Sequence, residues 1–386
     1  MRLAVATAGL ALFAAAALAQ DASPPPPLAE RLPRPREAMS VTDGGVHAQA
    51  FAFSGREDRI ASAKRAPPVC ETLPDIRPLD HIVERAREAQ VVIINEAHDS
   101  PRDRRFIADL ATELAKLGFQ TYAAETLDGD APRTPGAFAR AVDGYYLREP
   151  VFGALFRQIA ALGYTVVPYE DFGPRIEGRH FTDAINARET VQSSNLINRT
   201  VRLDPAQKVL VHVGHSHNRE TVNRFDGRDV RWMALRFREI TGVDPLTIDL
   251  TTYGAEADGV CAPGPGIETD RDIYIARAPL TFERNRPAWR VATGARFVDI
   301  PQDLRQPGAR TIIEARYANE PDDAVPVDRV LVDPGEDIPL LLPPGRYKVR
   351  GWTGSGGWSE AVALTVAAPR AAAPSKAKTK QRRKTR

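Results

Sequence analysis

The stretch Val91-Val92-Ile93-Ile94-Asn95-Glu96-Ala97-His98-Asp99 decides how this chain reads. Four β-branched residues in a row suit a strand buried on both faces, as in a parallel sheet covered by helices. Polar residues begin where that strand would stop, and open α/β sheets place their functional groups beyond the carboxyl ends of their strands. Glu96 and His98 are two apart, so in extended chain they face the same side.

Working outward, similar apolar runs recur at 121–126, 165–169, 209–213 and 246–250. Amphipathic stretches lie between them. Phe106, Ile107, Leu110, Leu114 and Leu117 fall at helical spacing, and Gly118 follows as a stop. The stretch 151–162 ends in the same way at Gly163, and 182–201 reads as a longer helix with Ile185, Leu196 and Ile197 on its apolar side. Strand–helix alternation predicts an α/β domain over 70–262, a mainly parallel sheet flanked by helices. From about 270 the pattern changes. Segments 272–277, 296–300, 311–317, 328–332, 346–351 and 360–366 read as strands separated by Gly and Pro turns such as Leu342-Pro343-Pro344-Gly345, which predicts a small β-sandwich over 270–368.

The strand ends carry the chemistry. The second strand stops at Ala124-Glu125-Thr126 and the third at Tyr169-Glu170-Asp171; the fourth runs into Gly214-His215-Ser216-His217. Three of the seven histidines therefore fall at two strand ends. Glu96, His98, Glu125, His215 and His217 form a predicted cluster on one rim, able to serve as a general base with its orienting acid or as a metal site. His212, inside the fourth strand, reads as a satisfied core histidine. Glu170-Asp171 reads equally well as a cap for the following turn.

Composition bounds the rest. At 386 residues and 43% hydrophobic, the chain can bury the cores of two domains plus tails. Arg2, the apolar run 3–17 and the small-residue site Ala17-Leu18-Ala19 read as a cleaved secretory leader over 1–19. That run is shorter than the ~20 residues a bilayer span requires. Export makes the periplasm or the extracellular space the expected location, with a small molecule or peptide as substrate and no nucleic-acid partner. Residues 20–69 form a Pro-rich linker and N-terminal extension. The net charge of +2 hides a basic tail: 371–386 holds seven Lys or Arg and no acid, leaving the rest at −5. The tail reads as a solvated, disordered end, with weak contact to anionic envelope polymers as its functional option. The two cysteines, Cys70 and Cys261, bracket the α/β segment, and in an oxidising compartment they are expected to form a disulfide. The chain has no Walker loop, no Gly-x-Ser-x-Gly elbow and no zinc-type Cys cluster.

Asn95-Glu96-Ala97-His98, Glu125 and Gly214-His215-Ser216-His217, taken in order, resemble the haem-uptake and Tiki superfamily of ChaN-like lipoproteins, Tiki metalloproteases and erythromycin esterases. That superfamily carries Gly-Glu-x-His after its first strand, a Glu after its second and a late Gly-x-x-His, on an α/β fold. The resemblance covers roughly 80–260. Arg188-Glu189 weakly resembles the helix lining the family's cleft. Asn95 departs from the usual Gly, and because Asn tolerates left-handed backbone the turn is expected to survive. The resemblance implies three different chemistries. In the esterase-like one, His98 is the base, Glu96 and Glu125 are its partners, and His217 or His215 stabilises an oxyanion. In the Tiki-like one, Glu96, His98 and His217 hold a divalent metal. In the ChaN-like one, haem is bound, with Tyr145 and Tyr146 as axial ligands. A non-catalytic envelope scaffold is the further alternative. The residues alone do not choose among them.

Overall fold

The computed structural model describes residues 48–61, 68–170, 178–262, 269–306, 308–353 and 357–368. The expected leader, most of the Pro-rich stretch, Asp171 and the basic tail lie outside the described residues. The described chain begins with two short helices, α1 (Ala48–Phe53) and α2 (Glu57–Ala61). It continues through β1 (Glu71–Thr72), α3 (Pro78–Ala86), β2 (Val91–Glu96), α4 (Pro101–Ala115), β3 (Thr121–Ala124), a 3₁₀ turn (Tyr146–Arg148) and α5 (Pro150–Ala161). Then come β4 (Thr165–Pro168), α6 (Phe181–Arg199), β5 (Val209–Gly214), the hairpin β6 (Val222–Phe225) and β7 (Arg228–Arg231), α7 (Met233–Thr241), β8 (Leu246–Asp249), β9 (Gly259–Ala262) and β10 (Ile273–Ala276).

Eight of these strands form one sheet in the order β1-β9-β10-β8-β2-β5-β3-β4. Pairing is parallel from β10 to β4 and antiparallel only where β9 meets β1 and β10. The fold is the expected α/β type. Every residue of β2 is buried, so its two faces need two covers. Val92 and Ile94 pack with Ile82 of α3, Ile107 and Leu110 of α4, and Phe152 of α5. Val91 and Ile93 pack with Leu196 and Ile197 of α6 and with Met233 and Phe237 of α7. Full burial of each such aliphatic side chain stabilises by roughly 1.5–3 kcal/mol. Helices α4 and α5 stop where expected, at left-handed Gly118 and Gly163.

One consequence of the strand order positions the site. β5 lies between β2 and β3, pairing Glu96 with Gly214 on one side and Ala124 with His212 on the other. The carboxyl ends of these three strands therefore open at the same place on the rim.

The C-terminal region holds β11 (Phe282–Glu283), β12 (Arg286–Pro287), α8 (Ala288–Ala292), β13 (Arg296–Val298), β14 (Thr311–Tyr317), β15 (Asp328–Val332), β16 (Leu340–Leu342), β17 (Gly345–Trp352) and β18 (Val362–Val366). An antiparallel sheet β15-β14-β17-β18 and the pair β13–β16 share one core, which includes Ile313, Val330, Leu340, Leu342 and Val349. Two expectations need correction. The segment around 272–277 was expected to begin this region, yet Ile273–Ala276 is fully buried in the large sheet, parallel to β8. Its uninterrupted apolar run is that of a doubly covered strand. Leu342, expected as the first residue of a turn, instead closes the strand Leu340–Leu342, which pairs with β13.

The two regions are joined closely. Val325 enters the core of the α/β domain, and Arg157 of α5 holds Glu320 and the Val325 carbonyl. Cys70 and Cys261 form a disulfide with Cα atoms 5.8 Å apart, next to the β1–β9 pairing. The loop it closes is long, with 191 residues of separation, and chain-entropy arguments give such a bond about 5 kcal/mol. Among the described residues no helix is long and apolar enough to cross a membrane.

Candidate active site

Glu96 ends β2 at 1% exposure, and a carboxylate so deeply buried requires partners. Arg104, fully buried in the first turns of α4, supplies two: Nε donates to Oε2 at 2.7 Å and Nη2 to Oε1 at 2.9 Å. The same guanidinium donates to the His98 carbonyl and, through Nη1, to Glu149. Glu149 in turn caps α5 by accepting from the Val151 and Phe152 amides. Burial by itself would raise the Glu96 pKa, but Arg104 and His212 outweigh it and hold the group well below the usual carboxylate range. Glu96 is ionised.

His98 places Nδ1 3.2 Å from Glu96 Oε1. Its ring stacks on Tyr146 with centroids 4.0 Å apart and meets the edge of His215 at 5.0 Å. The opposite side of the ring lies against Gly214. A Cβ there would sit 2.3 Å from His98 Cε1 and 2.6 Å from Nε2, so any side chain at the end of β5 would have to displace the ring. That same Cβ would be 2.9 Å from Glu125 Oε2, which brings His98 and Glu125 to one spot.

Glu125 accepts from the Gly214 amide at 2.6 Å and from Arg188 Nη2 at 2.6 Å. It too is held well down, with His217 and Arg188 overcoming its burial. Arg188, on α6, also grips Glu170 through Nε and Nη2, and Gln192 supports Glu170 from the next turn. His217 Nδ1 lies 2.7 Å from Glu189 Oε1, and its Nε2 is 3.7 Å from Glu125 Oε1 and 3.2 Å from Arg188 Nη1. Burial alone would lower the His217 pKa, but Glu189 and Glu125 raise it above the ordinary imidazole value. His215 shifts the other way: burial, then His98, pushes it down to about 4.

The five rim residues expected from sequence, Glu96, His98, Glu125, His215 and His217, are thus brought together. His212 is buried as expected, with the Tyr122 hydroxyl 2.7 Å from Nδ1 and Glu96 Oε2 3.1 Å from Nε2. Three expectations change. Asn95 is not left-handed but extended within β2, and the left-handed residue is His215, at φ 41°. The Asn95 amide instead ties three strand ends together, donating to the His215 carbonyl, Asp249 and Thr251 and accepting from the Leu250 amide. Glu170 accepts from Arg188 and Gln192, and the turn that Glu170-Asp171 is expected to cap lies outside the described residues. Glu96, His98 and His217 do not form one ligand set: both oxygens of Glu96 are committed to Arg104, and His217 belongs to Glu189. Among the described residues no group of three or more His, Cys, Asp or Glu is arranged to hold a metal ion. Two guanidiniums on the carboxylates would also repel a divalent cation, so this donor set does not fit a metal. The tyrosines do not fit a haem either. Tyr146 is buried against His98, and Tyr145, 40% exposed, stands nearly perpendicular to it with centroids 5.3 Å apart. Freeing Tyr146 as an axial ligand would dismantle the His98 stack.

Sequence reasoning missed Arg104, Glu149 and the contact role of Gly214. Arg104 carried a signal, because it stands on the same helical face as Ile107, Ala111 and Leu114, all buried. Glu149-Pro150 is likewise a cap followed by Pro at the first helical position.

No protein-family model matches the sequence, and no curated protein matches it. Among solved structures, the type III effector HopBA1 is similar over 55% of this chain and 99% of its own, at 15% identity and TM-score 0.38. The MARTX toxin effector domain RRSP from Vibrio vulnificus CMCP6 is similar over 54% of this chain and 41% of its own, at 16% identity and TM-score 0.32. The C-terminal region of Pasteurella multocida toxin, described with a thiol-protease-like catalytic triad, is similar over 80% of this chain and 53% of its own, at 10% identity and TM-score 0.31. Likeness at this level carries no argument about activity.

Proposed function

We propose that the chain is an exported hydrolase of ester, amide or peptide-like bonds in which His98 activates water without a metal. The observation that carries this reading is the Glu96–His98 pair. A carboxylate fixed by Arg104 receives Nδ1 and leaves Nε2 facing Gly214 and Glu125. An imidazole oriented in this way by an ionised acid is a general base with its tautomer set. Water attacks the substrate carbonyl carbon and its proton passes to His98 Nε2. The C–O or C–N bond then breaks as that proton moves to the leaving group. His217, its pKa raised by Glu189 and Glu125, stabilises the oxyanion of the tetrahedral intermediate, and neutral His215 lines the same rim. Cys70 and Cys261 are bonded to each other, so no thiol nucleophile competes with this route. The disulfide and the leader-like residues 1–19 support export.

The test is a panel of aryl esters, lactones, amides and short peptides, assayed with chelator-treated protein. Hydrolysis that falls by about 10²–10⁴-fold in both His98→Asn and Glu96→Gln supports the reading. Hydrolysis unaffected by either substitution, or restored only by added metal, refutes it.

A further inference from the structure

The turn joining α1 to α2 is seated on the C-terminal region. The Ser54 carbonyl accepts from the Leu331 amide, the Gly55 carbonyl from Arg286 and the Phe53 carbonyl from Arg329. Gly55 is left-handed at φ 67°, and a Cβ there would collide with the Arg329 carbonyl, so the turn lies hard against β15. Its other side meets the α/β region, where Phe53 packs on the main core.

Glu57, the first residue of α2, is buried in this seat at 3% exposure. A carboxylate so deep ordinarily has a cation or several donors. Here Oε2 has no hydrogen-bond partner, and among the described residues no ion pair reaches Glu57. The arginines that could neutralise it are spent. Arg286 goes to both oxygens of Asp328 and to the Gly55 carbonyl, Arg290 to Asp328 and to the Val327 and Leu341 carbonyls. Facing Glu57 are Arg290 and the Trp289 indole from α8, Arg286 from β12, Glu149 from the cap of α5 and Arg102 from the start of α4. Its neighbours on α2 are Asp58, held by Arg56, and Arg59, held by Asp333; α1 adds no charge. Burial outweighs the two arginines and, with Glu149, raises the carboxyl to about 7.

We propose that Glu57 is a proton-operated latch at the domain junction: protonated, it lets the turn sit between the two regions, and losing the proton loosens the seat. Lifting the turn puts Glu57 in water. Below about pH 4 the group is protonated in either position, so nothing is lost. Between about pH 4 and 7 the lifted turn releases a proton that the seated one keeps, so the seat weakens as pH rises, and above 7 the loss is complete.

The full chain would be compared with Glu57→Gln, which keeps the shape and removes the charge. From pH 5 to 8 the variant's folding equilibrium constant should gain on the parent's by about 10–100-fold. Hydrogen exchange at the Leu331 amide reports the seat directly; its protection should fall over this range in the parent and hold in the variant. Carbon-13 NMR of glutamate-labelled parent should show a carboxyl titrating near pH 7 that is missing from the variant. A ratio of folding constants that stays flat with pH, Leu331 protection with the same pH dependence in both proteins, or no such carboxyl lost in the variant would overturn the proposal.

Discussion

Two Glu–His pairs face each other across the rim, and their carboxylates keep different company. On one side Glu96 meets His98 while Arg104 takes both of its oxygens and links it to Glu149. On the other, His217 lies between two carboxylates, Glu189 and Glu125, and Arg188 divides itself between Glu125 and Glu170. The first assembly is closed, with Arg104 fully buried; the second is more open, with the Arg188 side chain 23% exposed. The two sides are built from the same residue types. What differs is how much of each carboxylate's charge a guanidinium has already taken: Glu96 is held by Arg104 through both oxygens, whereas Glu189 and Glu125 raise the pKa of His217.

Breaking the closed side should have the largest effect. Arg104→Met leaves Glu96 and Glu149 buried without their cation and should cost about 3–5 kcal/mol in chemical denaturation. Arg188→Met, at a partly exposed guanidinium, should cost clearly less. Equal losses would erase the contrast between the two sides. Next comes Gly214→Ala, whose methyl group must displace the His98 ring. Activity should fall by 100-fold or more, with about 1–3 kcal/mol lost in stability, and an active, stable variant would show that His98 does not lie there.

The pH dependence sharpens the comparison. His217 has its folded-state pKa raised, so the stability from its Glu189 pair is full below about pH 6.5 and fades as pH climbs through the folded value. His215 has the opposite sign. Depressed to about 4, it contributes fully above about pH 6.5 and loses that contribution as pH falls towards 4. His217→Gln should therefore cost most at acid pH and converge with the parent at alkaline pH. His215→Asn should flatten the loss of stability between pH 6.5 and 4, an effect of roughly 1–3 kcal/mol. Stability curves that stay parallel would contradict both assignments. The smallest effect belongs to Tyr122→Phe, which removes the hydroxyl from His212 and should cost about 1 kcal/mol in thermal unfolding.

The α/β sheet could be read from sequence because buried parallel strands leave unbroken β-branched runs, and the rim because polar residues gathered where those runs stop. What could not be read was pairing. Arg104 is an arginine in an amphipathic helix until the fold places it beneath Glu96. Nothing local reveals that the glycine at 214 is there for the ring of His98, from a strand more than a hundred residues earlier. The Asn95 expectation failed for a related reason. A local argument about backbone tolerance had no access to the His215, Asp249 and Leu250 partners that its amide gains only when β2, β5 and β8 lie side by side. The domain edge was misplaced at 273–276 because an apolar strand does not announce which sheet it joins.

The measurement closest to the central claim is nitrogen-15 NMR of histidine-labelled protein, with His98 assigned through His98→Asn. His98 should carry its proton on Nδ1, bonded to Glu96, with Nε2 bare, and His217 should keep both protons to higher pH than a free imidazole. A His98 protonated at Nε2 and free at Nδ1 would leave no base facing the site, and the proposed water activation would fall with it.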